Sequence, residues 1–428
     1  MRLNPLKVLE ELSLTKIYLK INNTEGLQLT VYNYVDDQEV VHLTQALVRI
    51  PSVYRPNDPK ANESRAAQYV YNYLKGLGLE VYIEEVVKGR PNVIGILDSG
   101  RPGKTILFEG HTDVVTEGDR DAWSYDPFGA VIEGGRMFGR GTNDTKGNLS
   151  AAIAAVHAIK RSKVKWNGKI ILCVPCDEEG MMIGIKHFIK RGWAQGVDGA
   201  IICEPEENQI CITQKGAMRA VIRTFGKMAH GAMPLAGINP NTRMAQIICE
   251  LMALEEQEKH RVGQHQYLGL PSITPTIILG PEKGEPQINV IPDQCYSTLD
   301  IRTVPGQDHD QLQVDMENIL ARLGSKDQDF KATIEVIESR PWTETNLEEP
   351  IVRASVESFR SVAGKKPIYN GVPGATDGTF LHLAGIPIVT TGAGDRHIPH
   401  QINEYIDVAE LVEASRIYAQ TAMLFLNE

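Results

Sequence analysis

The chain alternates short segments that are apolar at almost every position with longer segments whose apolar residues recur at helical spacing. The short segments include Thr105–Glu109, Lys169–Val174 and residues 199–203, and two of the longer ones span residues 147–160 and 408–426. A strand that is apolar on both faces is typical of a parallel sheet covered by helices on both sides. We therefore predict an α/β fold with a mostly parallel sheet flanked by helices.

A second unit interrupts this alternation. The pattern predicts strands at residues 217–224, 272–279, 288–301 and 331–337, and helices at residues 240–258 and 307–323. Their order, β-α-β-β-α-β, is that of the ferredoxin-like motif. We therefore predict four parts: an N-terminal extension (1–37), a main domain in two pieces (38–216 and 339–428) and an inserted α+β domain (217–338). In the extension, residues 15–19 and 27–34 are predicted to form a hairpin.

Composition and charge exclude several classes of protein. The formal net charge is −10, whereas a general nucleic-acid binder needs a basic surface for the phosphates. No stretch approaches about 18 consecutive apolar residues, so we expect no membrane span. The first twenty residues are punctuated by charges and lack a signal-peptide pattern, and the six cysteines are too few for a disulfide scaffold. We therefore expect a cytoplasmic protein.

Histidine and carboxylate residues follow several of the predicted strands directly. They are His111 and Asp113, then Glu178 and Glu179, then Glu204, and finally His397 and His400, while Asp144 precedes the helix at 147–160. One such residue alone is more often a helix cap or a solvated turn. In open α/β sheets, however, ligands bind beyond the carboxyl ends of the strands. Histidine and carboxylate ligands without cysteine fit zinc, cobalt or manganese, and two such ions can share a bridging group.

The motifs around these residues resemble one known family. They are HTDVV at 111–115, GRGTNDTKG at 139–147, DEEG at 177–180, CEP at 203–205 and HQINEY at 400–405. They resemble the M20 family of dinuclear zinc hydrolases, which includes acetylornithine deacetylase, succinyl-diaminopimelate desuccinylase, carboxypeptidases and aminoacylases. The resemblance covers residues 38–428. It implies a zinc-exopeptidase-like catalytic domain and an inserted lid and dimerisation domain.

The resemblance also implies a set of metal ligands. One metal ion would be held by His111, Asp144 and Glu204, and a second by Asp144, Glu179 and His400. Asp144 would bridge the two divalent ions, most simply Zn²⁺, with Co²⁺ or Mn²⁺ as alternatives. Spacing alone would allow either His397 or His400 to reach the metal. The family pattern selects His400, and Pro399 stiffens the chain that leads to it.

Three residues have catalytic roles by the same resemblance. Glu178 would be the general base that takes a proton from a metal-bridging water and returns it to the leaving amine. Asp113 would orient His111 through its other ring nitrogen. His230 would reach across the interface of a homodimer and help to bind the transition-state oxygen. The alternative for His230 is a turn histidine without a role.

Four further residues match positions that contact substrate in relatives. Asn289 and Arg302 lie in the inserted domain, and Arg302 suits a bidentate contact with a substrate carboxylate. The alternative for Arg302 is a strand arginine that forms an ion pair with Asp300 or another surface acid. Gly374 and Asp377 belong to the loop GATD at 374–377, which resembles a substrate-binding loop of the family. The alternative interpretation is an ordinary turn with a side-chain hydrogen bond and no substrate contact.

Three functions remain open at the level of sequence. The first is a metal-dependent amidohydrolase that removes an N-acyl group from an amino acid or a related amine. The second is a metallo-exopeptidase that acts on dipeptides or short peptides. The third, a non-catalytic relative that acts as a binding protein, is disfavoured because every ligand and Glu178 are present. The order of the motifs, with Asn289 and Arg302, favours the deacetylase and desuccinylase branch.

Overall fold

The structure is a computed structural model that describes residues 30–58 and 60–428. The hairpin predicted at residues 15–19 and 27–34 lies outside the described residues except for its last part. There the prediction is wrong, because Val31–Tyr34 form a short 3₁₀-helix and not a strand. Val31 is fully buried in the main core. Its apolar side chain therefore reflects packing of this short helix against the core and not a strand.

Within these described residues the chain forms nine α-helices. They are α1 (Asp37–Val48), α2 (Ser64–Gly76), α3 (Lys146–Ser162), α4 (Ile183–Lys190), α5 (Pro240–Val262), α6 (His309–Lys326), α7 (Pro350–Ala363), α8 (Gly378–Leu383) and α9 (Val408–Asn427). No helix in the described ranges is both long and apolar enough to cross a membrane.

The strands fall into a large sheet, a smaller second sheet, a third sheet of three short strands and a two-stranded ladder. They are β1 (Glu80–Val87), β2 (Arg90–Asp98), β3 (Thr105–Glu109), β4 (Val131–Glu133), β5 (Arg136–Phe138), β6 (Lys169–Val174), β7 (Gly199–Ile202), β8 (Ile210–Gln214), β9 (Gly216–Phe225), β10 (Ala229–His230), β11 (Ser272–Leu279), β12 (Val290–Ile291), β13 (Gln294–Thr303), β14 (Lys331–Arg340), β15 (Thr343–Glu344), β16 (Tyr369–Val372), β17 (Ile388–Thr390) and β18 (Tyr405–Asp407).

The large sheet has the order β1-β2-β6-β3-β7-β17-β8-β15, with β16 also paired to β8. Its centre, β6-β3-β7-β17, is parallel, while antiparallel pairs complete both ends. Successive residues of β3 enter opposite cores, Phe108 the larger one and Leu107 the smaller one. The predicted α/β fold is confirmed, and the parallel arrangement is found at the centre of a mixed sheet.

The second sheet is fully antiparallel and has the order β11-β13-β9-β14. Helices α5 and α6 cover one face, where Met218, Leu251 and Met316 share a core. Alternate residues of β13 are buried, as expected for a sheet with one covered face. The strand predicted at residues 288–301 is interrupted between Ile291 and Gln294, where Pro292 cannot donate a ladder hydrogen bond.

A third, small sheet has the order β18-β5-β4. It pairs Tyr405 with Phe138, two residues that lie about 270 positions apart in the sequence. This pairing brings the segment that contains His400 beside the loop that leads from β5 to Asp144.

Candidate metal centre

Three of the segments that carry predicted ligands leave the same edge of the large sheet. Strands β6, β3 and β7 are parallel neighbours in that order, so their carboxyl ends lie side by side. The chain continues from β3 to His111, from β6 to Glu178 and Glu179, and from β7 to Glu204. Asp144, immediately before α3, and His400, before β18, complete the cluster from two loops.

The first group of candidate ligands consists of His111, Asp144 and Glu204. Nε2 of His111 lies 3.2 Å from Oδ1 of Asp144 and 3.6 Å from Oε1 of Glu204. Nδ1 of His111 donates to the backbone carbonyl oxygen of Asp113 at 3.0 Å. A neutral imidazole that donates through Nδ1 has a free lone pair on Nε2. Nε2 is buried without a hydrogen-bond partner, as a nitrogen that binds a metal should be.

The second group consists of Asp144, Glu179 and His400. Nε2 of His400 lies 3.0 Å from Oε2 of Glu179 and 3.5 Å from Oδ2 of Asp144. Asp144 thus turns one carboxylate oxygen toward each histidine and is common to both groups. His397 belongs to neither group, and its backbone N–H and carbonyl oxygen contact the side chains of Asp395 and Gln401.

The protonation behaviour of the cluster reflects crowded acids in a buried site. Burial raises the pKa of Glu178 and of Glu204 well above the usual value, and neighbouring carboxylates raise each of them further. Burial also raises the pKa of Asp144, but His111 and His400 lower it below its usual value. Asp144 and Glu179 raise the pKa of His400 to about 10. Divalent cations would remove this repulsion, so the residues present fit a metal site.

Glu178 lies beside the candidate ligands but belongs to neither group. Its Oε2 is 3.9 Å from Nε2 of His111. The turn that carries it starts at Asp177, whose φ of 67° is in the left-handed region. A Cβ on Gly180 would lie 2.4 Å from Oδ1 of Asp177, so a side chain at that position would displace the Asp177 carboxylate.

Side chains from other segments of the chain hold this turn in place. Arg90 on β2 contacts Oδ1 of Asp177 through Nη1 at 2.7 Å and donates through Nε to Glu63, which is completely buried. The Asp113 carboxylate accepts the backbone N–H of Glu179 at 3.0 Å. Asp113 therefore acts on both sides of the site, with its carbonyl oxygen on His111 and its carboxylate on the Glu178–Glu179 segment.

The loop that presents Asp144 is built around one buried carboxylate, Glu404. Its Oε1 accepts the backbone N–H groups of Gly141, Asn143 and Asp144 at 2.9, 3.0 and 3.2 Å. Its Oε2 pairs with Arg140, which is also buried. Burial raises the pKa of Glu404 to about 7, and Arg140 opposes that rise. Glu404 joins the loop of the shared ligand to the segment of His400.

The roles of Glu404 and Arg90 were not predicted from the sequence. Glu404 lies in the HQINEY motif, and that membership was the available signal, but its three backbone partners become visible only in the fold. Arg90 lies in no motif. An arginine before an apolar strand cannot be distinguished from a solvated one by its sequence position.

The predicted substrate residues lie apart from this cluster, with one exception. His230 is exposed and pairs with Val290 in a two-stranded ladder, next to Asn289. Arg302 makes a bidentate contact with Asp300 at 2.6 and 3.1 Å, which is its predicted alternative. Among the described residues, the hydrogen bonds and ion pairs of these side chains do not reach the candidate ligands.

Asp377 is the exception. It is fully buried, and both its carboxylate oxygens lack a hydrogen-bond partner within the described part of the chain. Burial raises its pKa well above the usual value, with further contributions from Glu109 and Glu178. The predicted side-chain hydrogen bond in this turn comes instead from Thr376, whose Oγ1 accepts the N–H of Gly378. Gly374, in the same loop, is half-buried.

The chain thus has an α/β fold with an inserted antiparallel sheet, and the carboxyl edge of its large sheet carries two candidate ligand groups that share Asp144. The chain belongs to peptidase family M20/M25/M40, whose family model matches residues 107–424. This confirms the family that the motifs predicted.

Known proteins similar to this chain have related activities. An N-formyl-4-amino-5-aminomethyl-2-methylpyrimidine deformylase from Bacillus subtilis is 28% identical over 403 residues, which cover 89% of this chain and 93% of that protein. A probable succinyl-diaminopimelate desuccinylase from Staphylococcus epidermidis is 26% identical over 397 residues, covering 87% and 94%. The structure of an M20 family metallo-carboxypeptidase from Sulfolobus solfataricus superimposes with a TM-score of 0.75 at 21% identity, covering 90% and 99%.

The Glu404 contacts generate a first prediction. We expect Glu404→Ala to leave the buried Arg140 and three backbone N–H groups without their partner and to lower the free energy of unfolding by about 3–5 kcal/mol. Bound metal should fall because Asp144 is no longer fixed. Glu404→Gln keeps an oxygen for the backbone N–H groups and should give a smaller loss. Elemental analysis and thermal denaturation test this, and full metal content in Glu404→Ala would contradict it.

Proposed function

We propose that this protein is a metal-dependent amidohydrolase that removes an N-acyl group from an amino acid or a related amine. The observation that carries the proposal is the pair of ligand groups that share Asp144, with Glu178 beside them and outside both. The similar deformylase and desuccinylase each remove an acyl group from an amine, by their names, which supports the deacylase reaction for this chain.

We propose two divalent ions per chain, with His111, Asp144 and Glu204 as ligands of one and Asp144, Glu179 and His400 as ligands of the other. Histidine nitrogen and carboxylate oxygen without cysteine favour Zn²⁺, and Co²⁺ or Mn²⁺ suit the same donors. When bound, such ions polarise an amide carbonyl and lower the pKa of water.

Glu178 is the proposed general base. It lies within 3.9 Å of a candidate ligand atom and has no ligand role that would neutralise it. A carboxylate whose pKa burial raises well above the usual value holds a proton more readily than an exposed one. Glu178 can therefore take a proton from the attacking water and transfer it to the leaving nitrogen. Asp113 supports this step by fixing both His111 and the Glu179 backbone.

The inserted sheet is the proposed substrate and dimer region. We propose that residues 217–338 form a lid and dimerisation domain between the two catalytic pieces, 38–216 and 339–428, with 1–37 as an extension. His230 and Asn289 are adjacent and exposed on it, so a second copy in a homodimer can receive them. Arg302 can bind a substrate carboxylate only after exchanging its contact with Asp300. Gly374 and Asp377, which lie in the second catalytic piece, would also contact the substrate.

The compartment proposed for this enzyme is the cytoplasm. All six cysteines are free thiols, and five of them are buried, a use of cysteine that is typical of reducing compartments. The partners proposed for this enzyme are small N-acyl amino acids or short peptides. We propose no binding to nucleic acid or to a membrane.

A metallo-exopeptidase is the second candidate function. The metallo-carboxypeptidase shares the fold over nearly its whole length, and peptide hydrolysis needs the same metals and base. The two functions differ in the group that flanks the scissile amide bond, an acyl group in one case and an amino-acid residue in the other. We propose that the insert selects between these groups.

The role of Glu178 is testable with a matched pair of variants. Glu178→Gln preserves the shape of the side chain but cannot accept a proton, so we expect unchanged metal content and a fall in kcat of about 10²–10⁴-fold. Glu179→Gln, its neighbour in the chain, should instead lose bound metal. Elemental analysis and steady-state kinetics separate the two. Loss of metal from Glu178→Gln with full metal in Glu179→Gln would exchange their roles.

The proposed function itself is tested with a substrate panel. Metal-loaded protein is incubated with N-formyl-, N-acetyl- and N-succinyl-amino acids and with dipeptides, and the freed amine is measured, with Glu178→Gln protein as the control. We expect release from at least one acyl amino acid and less from the dipeptides. Release from dipeptides alone would favour the exopeptidase, and release from none would contradict hydrolysis of these classes.

A further inference from the structure

The turn from Asp177 to Gly180, which carries Glu178 and Glu179, is held from two different sheets. At the first residue of the turn, the Asp177 carboxylate contacts Arg90, which lies on β2 of the large sheet. At the other end of the turn, the carbonyl oxygen of Gly180 accepts a hydrogen bond from Nη2 of Arg340. Arg340 is the last residue of β14, an edge strand of the inserted sheet.

Arg340 is fixed within the insert by its own ion pairs. Its side chain is 7% exposed, and its Nε donates to Oε1 of Glu338 at 2.6 Å. Oε2 of Glu338 accepts a hydrogen bond from Arg219 on the neighbouring strand β9 at 2.8 Å. The guanidinium that reaches Gly180 therefore belongs to a network of ion pairs whose other members, the buried Glu338 and the partly exposed Arg219, lie in the inserted sheet.

The contact lies where the two sheets join. Only Lys215 separates the end of β8 at Gln214 from the start of β9 at Gly216, and Arg340 pairs with Ala217 in the β14–β9 ladder. A Cβ on Gly216 would lie 2.2 Å from Oγ1 of Thr303 and 2.8 Å from the carbonyl oxygen of Arg340. The joint is closely packed. A change in the orientation of the insert at this joint would move the Arg340 guanidinium relative to Gly180.

We propose that Arg340 is a positioning residue that couples the orientation of the insert to the placement of the Glu178 carboxylate. This inference rests on the proposed function, in which Glu178 is the general base. Gly180 lies two residues after Glu178, and Arg90 holds only the opposite end of the turn. Without Arg340 the turn keeps its metal-facing Glu179 through Asp113, while the carboxylate of Glu178 loses its fixed position. A displacement of about 1 Å can cost about 10²-fold in rate.

The test compares Arg340→Met with Arg219→Met. Both variants remove a guanidinium bound to Glu338, but only Arg340 contacts Gly180. With a substrate that the wild type cleaves, we expect kcat of Arg340→Met to fall by about 10²-fold with little change in KM or metal content. Arg219→Met should remain near the wild type. Arg340→Lys, which keeps a donor and the positive charge, should recover part of the loss and serves if Arg340→Met fails to fold.

A second measurement needs no substrate. In hydrogen–deuterium exchange, we expect peptides that cover residues 177–184 to exchange faster in Arg340→Met and not in Arg219→Met. Unchanged exchange and kcat in Arg340→Met would overturn the inference, as would equal losses in both variants or a loss of metal that accounts for the rate. If the wild type cleaves no substrate, the proposed function fails. Faster exchange confined to Arg340→Met would then still support the link between insert and turn.

Discussion

Carboxylates crowd the carboxyl edge of the large sheet more closely than buried acids tolerate without compensation. The side chains that meet there are Asp144, Glu178, Glu179 and Glu204, with His111 and His400 among them. Burying an ionised carboxylate without a partner is so costly that the group shifts its pKa instead. The raised pKa values of Glu178, Glu179 and Glu204 reflect this cost. Divalent cations at this edge would turn mutual repulsion into attraction.

Much of the surrounding structure serves to hold these acids against their repulsion. Glu404 organises three backbone N–H groups around the loop of Asp144, and Asp113 fixes the ring of His111. Arg90 fixes the turn of Glu178 from the catalytic sheet, and Arg340 does so from the insert. The candidate ligands come from distant parts of the sequence, so their geometry depends on contacts that only the complete fold provides.

The sequence predicted what depends on local pattern. Continuous apolar runs such as Lys169–Val174 indicated buried strands, and the structure confirms them. The residues that follow those strands could be predicted to meet because parallel neighbours end at one edge. The pattern did not show that β1 and β2 pair antiparallel, since the residues of a strand do not indicate the direction of its neighbour.

What the sequence could not predict depends on distant partners. Val31–Tyr34 has the composition of a strand but lies against the main core as a 3₁₀-helix. Arg302 already has a partner in Asp300 on its own strand, which residue type alone left open. The supporting roles of Glu404 and Arg340 arise from contacts across more than 150 residues, and no local spacing predicts them.

The central claim, that this acid cluster holds two metal ions joined by Asp144, is tested most directly by anomalous X-ray diffraction from crystals of the zinc-loaded protein. The account predicts two anomalous peaks about 3.5–4 Å apart. One peak should lie beside His111 and Glu204, and the other beside Glu179 and His400, with Asp144 between them. A single peak, or a second ion bound by His397 in place of His400, would contradict it.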